Sequence, residues 1–506
     1  MRKPAWLTFD IGTSAVKAAL IGVDGAALAE ARSPVGLYRG ADEREYESEP
    51  REWLAALAAA SKAVLRGAGP TEILALSTSG NGPTLVPCDA AGEPVGRALS
   101  WMDRRARDEA LTVGELAGLP LDPSFYLPKA LWLRERDPER FSRIGRFFAC
   151  PEWVAFRLSG VAESWLADPY YERYTWALDS AGKLGFDAAL FPPYAPSSRV
   201  MGKLLPAAAA ALGLPEGVPI VSSWPDFLAS LVGSGAVRPG VACDRSGTSE
   251  ALNLCAGRPF PDFTLLSLPH AVPGLWNLSG GLSTSGKALE WFADSAGYGD
   301  EGAPGVIAEA RRARPGASGL IFLPYLAGER APLWNRDLRG AFLGLAQGHG
   351  RRELARAVAE SIAYGLRLSH ERMAAAGFPT EVARTSGSAA RDDFMNALKA
   401  DVLGVPFERP ELADAELLGG ACACAVALGE ADGLAEASDR MSRVAARFEP
   451  DASLRPRYDE LFLAYREALE AIAPVSARLA SSAARFEAQD REASGDGNPA
   501  PGGSGA

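Results

Sequence analysis

The sequence predicts an α/β protein made of two domains of similar size. Its 506 residues exceed what one hydrophobic core holds, and two halves of roughly 230 to 250 residues are the natural division. Segments of helical and of strand character alternate along the chain, as they do in α/β folds. A Gly-Thr-Ser turn between two extended runs also occurs early in each half. This repetition predicts a duplicated fold.

The first predicted element is a β-hairpin. Residues 7–10 and 16–23 are extended, largely apolar runs, and the Asp24-Gly25 pair after them is a strong turn signal. At the hairpin tip, the amides of residues 12–14 and two hydroxyls form a concavity suited to phosphate oxygens. Asp10 beside them is a candidate ligand of hydrated Mg²⁺. A simple tight turn is the alternative for this motif alone.

A helix and a strand are predicted next. Residues 51–66 have helical periodicity, and residues 73–77 are typical of a strand that ends at the Gly-rich turn Ser79–Pro83. Residues 103–160 are predicted to be largely helical. A strand followed by a turn returns at Pro219–Asp226.

The second half begins like the first. Residues 241–255 carry Ser246-Gly247-Thr248-Ser249 between two extended runs. Two such tips from opposite domains can hold different phosphates of one nucleotide across a cleft, with a metal between them. The chain has no GxxxxGK(S/T) and no GxGxxG after a strand, so neither tip is a P-loop. From about residue 480 the sequence is rich in Ser, Ala and Gly, which predicts disorder.

Charge and composition disfavour several classes of partner. The net charge is −11 and the basic residues are scattered among acidic ones, which argues against a nucleic-acid partner. No apolar run is long enough to span a bilayer and no signal-peptide core is present, so we expect no membrane association and a cytoplasmic location. Only three histidines occur, and they lack the spacing of zinc ligands. With so few histidines, a carboxylate is the expected proton acceptor in any reaction that needs one.

A set of ordered motifs runs from Leu7 to about Ala473. The set comprises DIGTSAVK at 10–17, SWMDRRA at 100–106, PKALWLRERDPE at 128–139, WPDFLASLVGSGAVRPG at 224–240, SGTS at 246–249, GLIFLPYLAGERAPLWNRDLRGAFLGL at 319–345, a helix with Ala357, Glu360 and Ile362, and KADVLGVPF at 399–407. In this order the motifs resemble those of the FGGY carbohydrate kinases, members of the superfamily with the actin and hexokinase fold. The stretch at 319–345 closely resembles the second signature of that family.

The resemblance implies two ribonuclease-H-like domains of the actin and hexokinase type, separated by a cleft. It places an N-terminal, sugar-binding domain at residues 1–235, a C-terminal, ATP-binding domain at 236–478 and a disordered tail at 479–506. Members of the family transfer the γ-phosphoryl group of ATP to a hydroxyl of a sugar, polyol or sugar acid and require Mg²⁺. The expected partner is a small-molecule substrate. The sequence leaves open whether the protein forms a homodimer.

The resemblance also implies roles for individual residues. Asp226 matches the catalytic base that accepts the proton of the attacking hydroxyl, although an N-cap of the helix at 227–232 is the alternative for it. Asp10 matches the metal-associated carboxylate, and Asp226 is a second candidate metal ligand. Thr248 is preferred to Ser249 as a phosphate contact. The expected nucleotide site comprises Gly12, Thr13, Ser14, Lys17, Gly247, Thr248, Gly387, Ser388, Ala389 and Arg391.

Two segments depart from the family pattern. Where relatives have three glycines, then Ala and a basic residue, residues 385–391 are TSGSAAR, whose small side chains still suit an adenine slot. Asn81-Gly82-Pro83 replaces the Gln-Met-His of xylulose kinases and the Arg-Glu of glycerol kinases. Asn81 suits a vicinal diol because it donates and accepts, and Gly82 and Pro83 leave room for the acceptor. Trp101 and Asp103 are candidate pocket walls, with support of the interdomain hinge as the alternative.

The predicted function is ATP-dependent phosphorylation of a sugar, polyol or sugar acid, with a ketopentose such as xylulose as the first candidate. The alternative is a catalytically weak protein of the same fold that binds nucleotide or sugar as a sensor, which the altered segment at 385–391 allows. Asp226 favours the enzyme, because a binding protein has no need of a base. The motifs at 100–106 and 319–345 disfavour an actin-like ATPase.

Overall fold

The computed structural model describes residues 2–40 and 42–494 as a mixed α/β fold. The strands are β1 Lys3–Ile11, β2 Ala15–Gly22, β3 Ala27–Pro34, β4 Tyr38–Arg39, β5 Tyr46–Ser48, β6 Thr71–Gly80, β7 Leu85–Cys88, β8 Ala98–Leu99, β9 Arg146–Ala149, β10 Ser164–Leu166, β11 Tyr194–Pro196, β12 Val200–Lys203, β13 Pro219–Val221, β14 Val241–Ser246, β15 Glu250–Ala256, β16 Leu266–Pro269, β17 Trp276–Leu282, β18 Ile321–Leu323, β19 Ala341–Leu343, β20 Val382–Gly387, β21 Phe407–Pro410 and β22 Val444–Phe448.

The helices of the same ranges are α1 Pro50–Gly67, α2 Arg107–Ala117, α3 Tyr126–Arg136, α4 Pro138–Phe141, α5 Cys150–Ser159, α6 Leu178–Lys183, α7 Pro206–Leu212, α8 Asp226–Ser234, α9 Gly286–Ser295, α10 Gly302–Arg312, α11 Arg351–Ala375, α12 Asp393–Leu403, α13 Ala415–Ala427, α14 Leu434–Met441 and α15 Arg455–Ser494. None of these helices has the length and apolarity that a membrane crossing requires. The stretch 103–160, predicted to be largely helical, contains four helices but also the strand β9.

The first half of the chain forms a six-stranded sheet in the order β12-β13-β6-β1-β2-β3. β1, β2 and β3 are an antiparallel meander, β6 pairs parallel to β1, and β13 pairs parallel to β6. Ile11 pairs with Val16, so residues 12–15 form the tip of the predicted first hairpin. The apolar face of α1 packs on this sheet through Trp53, Leu57 and Val64.

The second half repeats this arrangement in a seven-stranded sheet of order β16-β17-β15-β14-β20-β21-β22. β14, β15 and β17 are antiparallel neighbours, β20 is parallel to β14, and β21 is parallel to β20. Both sheets therefore contain three antiparallel strands followed by two parallel ones, the strand pattern of ribonuclease-H-like domains. The predicted fold class and its duplication are confirmed.

Two helices cross between the sheets and join the halves. α13, from the second half, packs on β1, β2 and β6 of the first sheet, while α8, from the first half, packs on β14 and β20 of the second. Their apolar side chains share one core with residues of both sheets, such as Trp6 and Cys243. The halves are thus tied together by an exchange of helices, and the predicted boundary at residue 235 falls directly after α8.

Glycines allow α8 and α13 to lie in direct backbone contact. A Cβ on Gly233 would lie 1.8 Å from the carbonyl oxygen of Ala415, and one on Gly419 would lie 2.0 Å from that of Ala229. Atoms cannot approach so closely, and a side chain at either position would force the helices apart. The crossing therefore depends on the absence of these two side chains.

The end of the chain differs from the predicted disordered tail. α15 continues through residues 479–494, where Ala, Glu and Arg recur. These residues are strong helix formers, and helix propensity therefore outweighs the low apolar content that predicted disorder. The rest of the predicted tail, residues 495–506, lies outside the described residues.

Gly419→Ala should loosen the crossing, because its methyl group would overlap the carbonyl group of Ala229. We expect the free energy of unfolding in a urea titration to fall by about 1–3 kcal/mol, as in other overpacked cores. Gly182→Ala in α6 is the matched control, since no atom lies within 4 Å of its added Cβ. Equal stability of the two variants would rule out the proposed constraint.

His270, directly after β16, is buried, and its protonation is therefore linked to unfolding. Its Nδ1 accepts a hydrogen bond from the N–H of Val272 at 2.9 Å, and burial lowers the pKa of the imidazole to about 4. The unfolded chain takes up this proton at an ordinary pKa near 6.5. The native state is therefore favoured above pH 6.5, and this contribution is lost as the pH falls from 6.5 to 4.

His270→Asn removes the titrating group but keeps an acceptor for the N–H of Val272. Between pH 6.5 and pH 4 we expect the unfolding free energy of the wild type to fall by roughly 2–3 kcal/mol more than that of the variant. Urea titrations of both proteins across this range measure the difference. Parallel pH profiles would show that His270 is not protonated on unfolding.

Candidate active site

The predicted site residues of the first half converge at the carboxyl ends of parallel strands. β1 ends at Ile11 and β6 at Gly80, and the turn after β13 brings Pro225 into a bridge with Gly80. Asp226 follows Pro225 as the first residue of α8. The first hairpin tip, the turn after β6 and Asp226 are therefore neighbours, as the family motifs predict.

Asp226 is held at a helix start without capping the helix. Pro225 occupies the N-cap position with a φ of −55°, and no side chain caps the first turn of α8. Asp226 therefore does not serve as the N-cap of α8, which was the alternative role for it. Its side chain is 23% exposed, which leaves the carboxylate accessible to a ligand.

The partner of Asp226 is Arg245, which sequence reasoning missed. The two guanidinium nitrogens lie 3.3 and 3.5 Å from the two carboxylate oxygens. Arg245 is on β14, two residues before Gly247, and comes from the opposite half of the chain. Two adjacent charges, Asp244 and Arg245, in an otherwise apolar strand were the available signal.

Asp10 is buried at the base of the first hairpin. Its Oδ1 accepts a hydrogen bond from Ser79 Oγ at 3.0 Å, and its Oδ2 lies 3.5 Å from Lys17 Nζ. Burial, opposed by Lys17, raises the pKa of the Asp10 carboxyl to about 7, and the nearby Asp226 charge adds to the increase. The two predicted carboxylates thus lie close enough to influence each other.

Lys17 is engaged by the opposite half. Its ammonium lies 3.2 Å from Asp414 and in closer contact with Glu416, both at the start of α13. Asp414 also pairs with Arg32 and with Arg391, the latter at 3.0 Å. Two predicted nucleotide contacts, Lys17 and Arg391, therefore share a carboxylate that was not predicted. Acidic residues just before the small-residue helix α13 were the only sequence signal.

The first hairpin tip presents amides and a hydroxyl. The Gly12 N–H closes the turn on Ala15 O at 3.0 Å, whereas the N–H groups of Thr13 and Ser14 have no acceptor in the described ranges. Thr13 Oγ1 accepts a hydrogen bond from Trp101 Nε1 at 2.9 Å, and Ser14 is exposed. These amides are available to an anion.

The second tip is built in the same way and is braced from behind. The Gly247 N–H donates to Ser249 O at 2.9 Å, and Thr248 is exposed. The backbone at the start of α9 packs against this tip, where Gly286 N–H donates to Gly247 O at 3.1 Å and Lys287 N–H to Thr248 O at 3.2 Å. The sequence Ser-Thr-Ser-Gly at the start of α9 was the available signal of this support.

The segment predicted to hold adenine lies beside the second tip. Gly387 pairs with Ser246 across β14 and β20, and its φ is +89°. A Cβ on Gly387 would lie 2.0 Å from Ser246 O, so only glycine fits here. Ser388 is exposed, and residues 389–391 form a 3₁₀ turn. The structure thus places Gly387, Ser388 and this turn next to the predicted phosphate loop.

The turn Asn81-Gly82-Pro83 lies beside Asp226, but the side chain of Asn81 is already hydrogen-bonded within the protein. Its Nδ2 donates to Ile11 O at 2.9 Å, and its Oδ1 is in close contact with Thr84 Oγ1. This differs from the predicted diol contact, because both amide atoms already have partners. A Cβ on Gly82 would lie 3.2 Å from the hydroxyl of Tyr126, so this glycine adjoins that side chain.

Trp101 and Asp103 have different surroundings. Trp101 is partly exposed and connects the two loops, since its indole binds Thr13 and its N–H donates to Thr84 Oγ1 at 3.0 Å. Asp103 is fully buried and accepts hydrogen bonds from Tyr46 N–H and from Arg105. Asp103 therefore does not line an open pocket, because its charge is needed to compensate Arg105.

A buried charge cluster lies under the second tip. Lys399 of α12 is 2.6 Å from Asp244 and in close contact with Glu250, the first residue after the tip, and none of the three has exposed surface beyond 1% of its side chain. Burial and the neighbouring Glu250 charge raise the pKa of Asp244 to about 8. Ser285 donates to Glu250 and links this cluster to α9.

The residues present fit Mg²⁺ bound together with a nucleotide. Within residues 2–40 and 42–494 no three His, Cys, Asp or Glu side chains are arranged to hold a metal by themselves. Mg²⁺ needs fewer, because one or two carboxylates with water and substrate phosphates complete its coordination. Asp10 Oδ2 lies 3.7 Å from the position of a Cβ on Gly12 and so faces the tip. Asp226, the second predicted ligand, is paired with Arg245.

Comparisons with known proteins agree with this geometry. A model of the N-terminal domain of the FGGY family of carbohydrate kinases matches residues 5–233, and one of its C-terminal domain matches residues 245–428. A xylulose kinase of Staphylococcus epidermidis is 27% identical over 483 residues, and a glycerol kinase of Thermus brockianus is 31% identical over 494 residues. Each alignment covers 92% of this chain and 96% of the relative.

A solved structure shares the fold. The crystal structure of gluconate kinase from Lactobacillus acidophilus has a TM-score of 0.83 and 23% sequence identity, over 94% of this chain and 100% of that one. The two family models together match well over half of the chain, and the first extends into α8 while the second contains α13. The chain belongs to the FGGY family of carbohydrate kinases.

Proposed function

We propose that this carbohydrate kinase transfers the γ-phosphoryl group of ATP to a hydroxyl of a sugar, polyol or sugar acid, with a ketopentose such as xylulose as the first acceptor to test. The observation that carries the proposal is the position of Asp226. This partly exposed carboxylate lies beside the first amide-lined tip and contacts the strand that leads to the second.

The proposed reaction assigns one task to each part of the site. The acceptor hydroxyl donates its proton to Asp226 as its oxygen attacks the γ-phosphorus, and ADP leaves with the electron pair of the broken phosphorus–oxygen bond. Phosphoryl transfer needs little more than positioning and charge neutralisation. The amides of Thr13 and Ser14 and the Thr248 loop supply the positioning, with Lys17 close to the first tip.

Two elements of the proposal go beyond the family assignment. Asp10 would hold Mg²⁺ together with the nucleotide phosphates, and the ion would neutralise phosphate charge. Gly387 and the following small residues would receive the adenine ring beside the second tip. The carboxylate position at Asp10 and the pairing of Gly387 with Ser246 support these assignments.

The choice of a ketopentose rests on similarity to known relatives. Several relatives are xylulose kinases, while others are glycerol kinases. Gly82 lies against Tyr126 and Pro225, next to Asp226. Asn81 is bonded inside the protein, and acceptor hydroxyls would therefore meet Asp226 and Trp101 first. An acceptor panel decides among ketoses, polyols and sugar acids.

Asp226→Asn should abolish turnover while keeping ligand binding, because the amide retains the shape but cannot accept the proton. We expect kcat with MgATP to fall by about 10²- to 10⁴-fold. The measurement is coupled ADP release with a panel of ketoses, aldoses, polyols and sugar acids. Near-normal turnover of the variant would remove Asp226 as the base. Nucleotide binding without turnover by the wild type on every acceptor would favour a sensor.

Thr248→Ala should weaken ATP binding, whereas Ser249→Ala is the matched control from the same tip. Thr248 is exposed at the tip, and loss of one hydrogen bond to a phosphate should raise the KM for ATP by about two- to tenfold. The KM of the acceptor should stay unchanged in both variants. Equal KM values for ATP in the two variants would contradict the assignment of Thr248.

A further inference from the structure

We propose that Arg245 is a catalytic residue that exchanges partners: it pairs with Asp226 before nucleotide binds and binds the γ-phosphate of ATP afterwards. This inference rests on the proposed kinase function. It names a residue of the site that the family motifs did not indicate. It also explains how the same carboxylate is held before the reaction and released for it.

The first argument is position in the duplicated fold. Arg245 precedes Gly247 by two residues, as Asp10 precedes Gly12 in the first half. Both lie at the end of the central strand that enters a phosphate-type tip. The two equivalent positions thus carry opposite charges, a carboxylate suited to Mg²⁺ and a guanidinium suited to phosphate oxygens.

The second argument is the looseness of the ion pair. Its distances of 3.3 and 3.5 Å exceed the roughly 2.8 Å of a strong charge-assisted hydrogen bond. The side chains of Arg245 and Asp226 are 37% and 23% exposed. A partly exposed pair with such long contacts is weak, so an incoming phosphate can displace the carboxylate at little cost.

The third argument is the contrast with the other cations near the tips. Lys17 is within 3.5 Å of three carboxylates, and Lys399 is fully buried between two. Arg391 is paired with Asp414 at 3.0 Å. The shortest contact of Arg245 with its partner, at 3.3 Å, is longer than the shortest contact of Lys17, Lys399 or Arg391. Of these four cations, Arg245 is therefore the best placed to change partners.

The exchange has a chemical consequence for the base. While paired, the guanidinium contacts both carboxylate oxygens of Asp226 and competes with the acceptor hydroxyl for them. When the planar guanidinium group of Arg245 turns to two γ-phosphate oxygens, Asp226 is free to take the proton of the acceptor hydroxyl. The new oxygen–phosphorus bond forms as the bond to the β-phosphate oxygen breaks, and Arg245 neutralises the charge on the transferred group.

The decisive test measures nucleotide binding without an acceptor. Arg245→Gln should weaken binding of ATP with Mg²⁺ by about tenfold or more in calorimetry, with less than about a twofold change for ADP, because only ATP has the γ-phosphate. Arg238→Gln is the matched control, since Arg238 pairs with Asp439 on the surface at 3.0 Å. Equal losses for ATP and ADP, or no loss for ATP, would overturn the proposal.

A second variant tests the exchange itself. Asp226→Asn should raise the affinity for ATP by about two- to fivefold, because the competing partner is gone. In the Arg245→Gln background the same substitution should have no effect. If Asp226→Asn raised the affinity for ATP equally with and without Arg245, the gain would come from removing the repulsion between Asp226 and the phosphates. This result would refute the exchange.

Kinetics separate this proposal from the proposed function. In an active kinase, Arg245→Gln should lower kcat on the order of 10²- to 10³-fold with little change in the acceptor KM, and Arg245→Lys should be intermediate. If the wild type phosphorylates no acceptor but Arg245→Gln still weakens the binding of ATP relative to that of ADP, the reaction assignment fails and the role of Arg245 in binding the γ-phosphate stands. An unchanged kcat overturns the role alone.

Discussion

The close crossing of α8 and α13 is the constraint on which the rest of the site depends. Gly233 and Gly419 bring the two backbones into contact, and Gly420 lets α13 approach Ser77 of the first sheet. The amino-terminal ends of these helices carry Asp226 on one side and Asp414 and Glu416 on the other. Any widening of the crossing would therefore separate the charged groups at the centre of the site.

The two halves hold each other by ion pairs that run in opposite directions. Lys17 of the first half pairs with Asp414 and Glu416 of the second, and Arg245 of the second pairs with Asp226 of the first. Each half thus supplies one cation to a carboxylate at the start of the other's connecting helix. The carboxylates that hold Lys17 are buried, whereas the Arg245–Asp226 pair is partly exposed and therefore weak. In the proposed exchange, a phosphate group thus replaces Asp226 as the partner of Arg245 without disrupting the fold.

The support beneath the second tip has the opposite character. Lys399, Asp244 and Glu250 are buried, and removing Lys399 would leave Glu250 as an uncompensated buried charge that costs several kcal/mol. Together with the backbone hydrogen bonds from the start of α9, the cluster fixes the loop at Thr248. A firmly held loop beside the loosely paired Arg245 is the arrangement that the proposed binding and release of ATP requires.

What the sequence alone determined is local. Each hairpin tip consists of contiguous residues around one glycine, and the duplicated tips, the strand and helix alternation and the order of the family motifs could all be read along the chain. Tertiary structure decided the partners. Arg245 meets Asp226, Lys17 meets Asp414, and Asn81 and Asp103 turn inward because packing brings together groups that are distant in sequence. No periodicity or motif encodes such contacts. The two ion pairs between the halves depend on how closely two glycine-bearing helices cross, and the inward positions of Asn81 and Asp103 depend on packing within the first half.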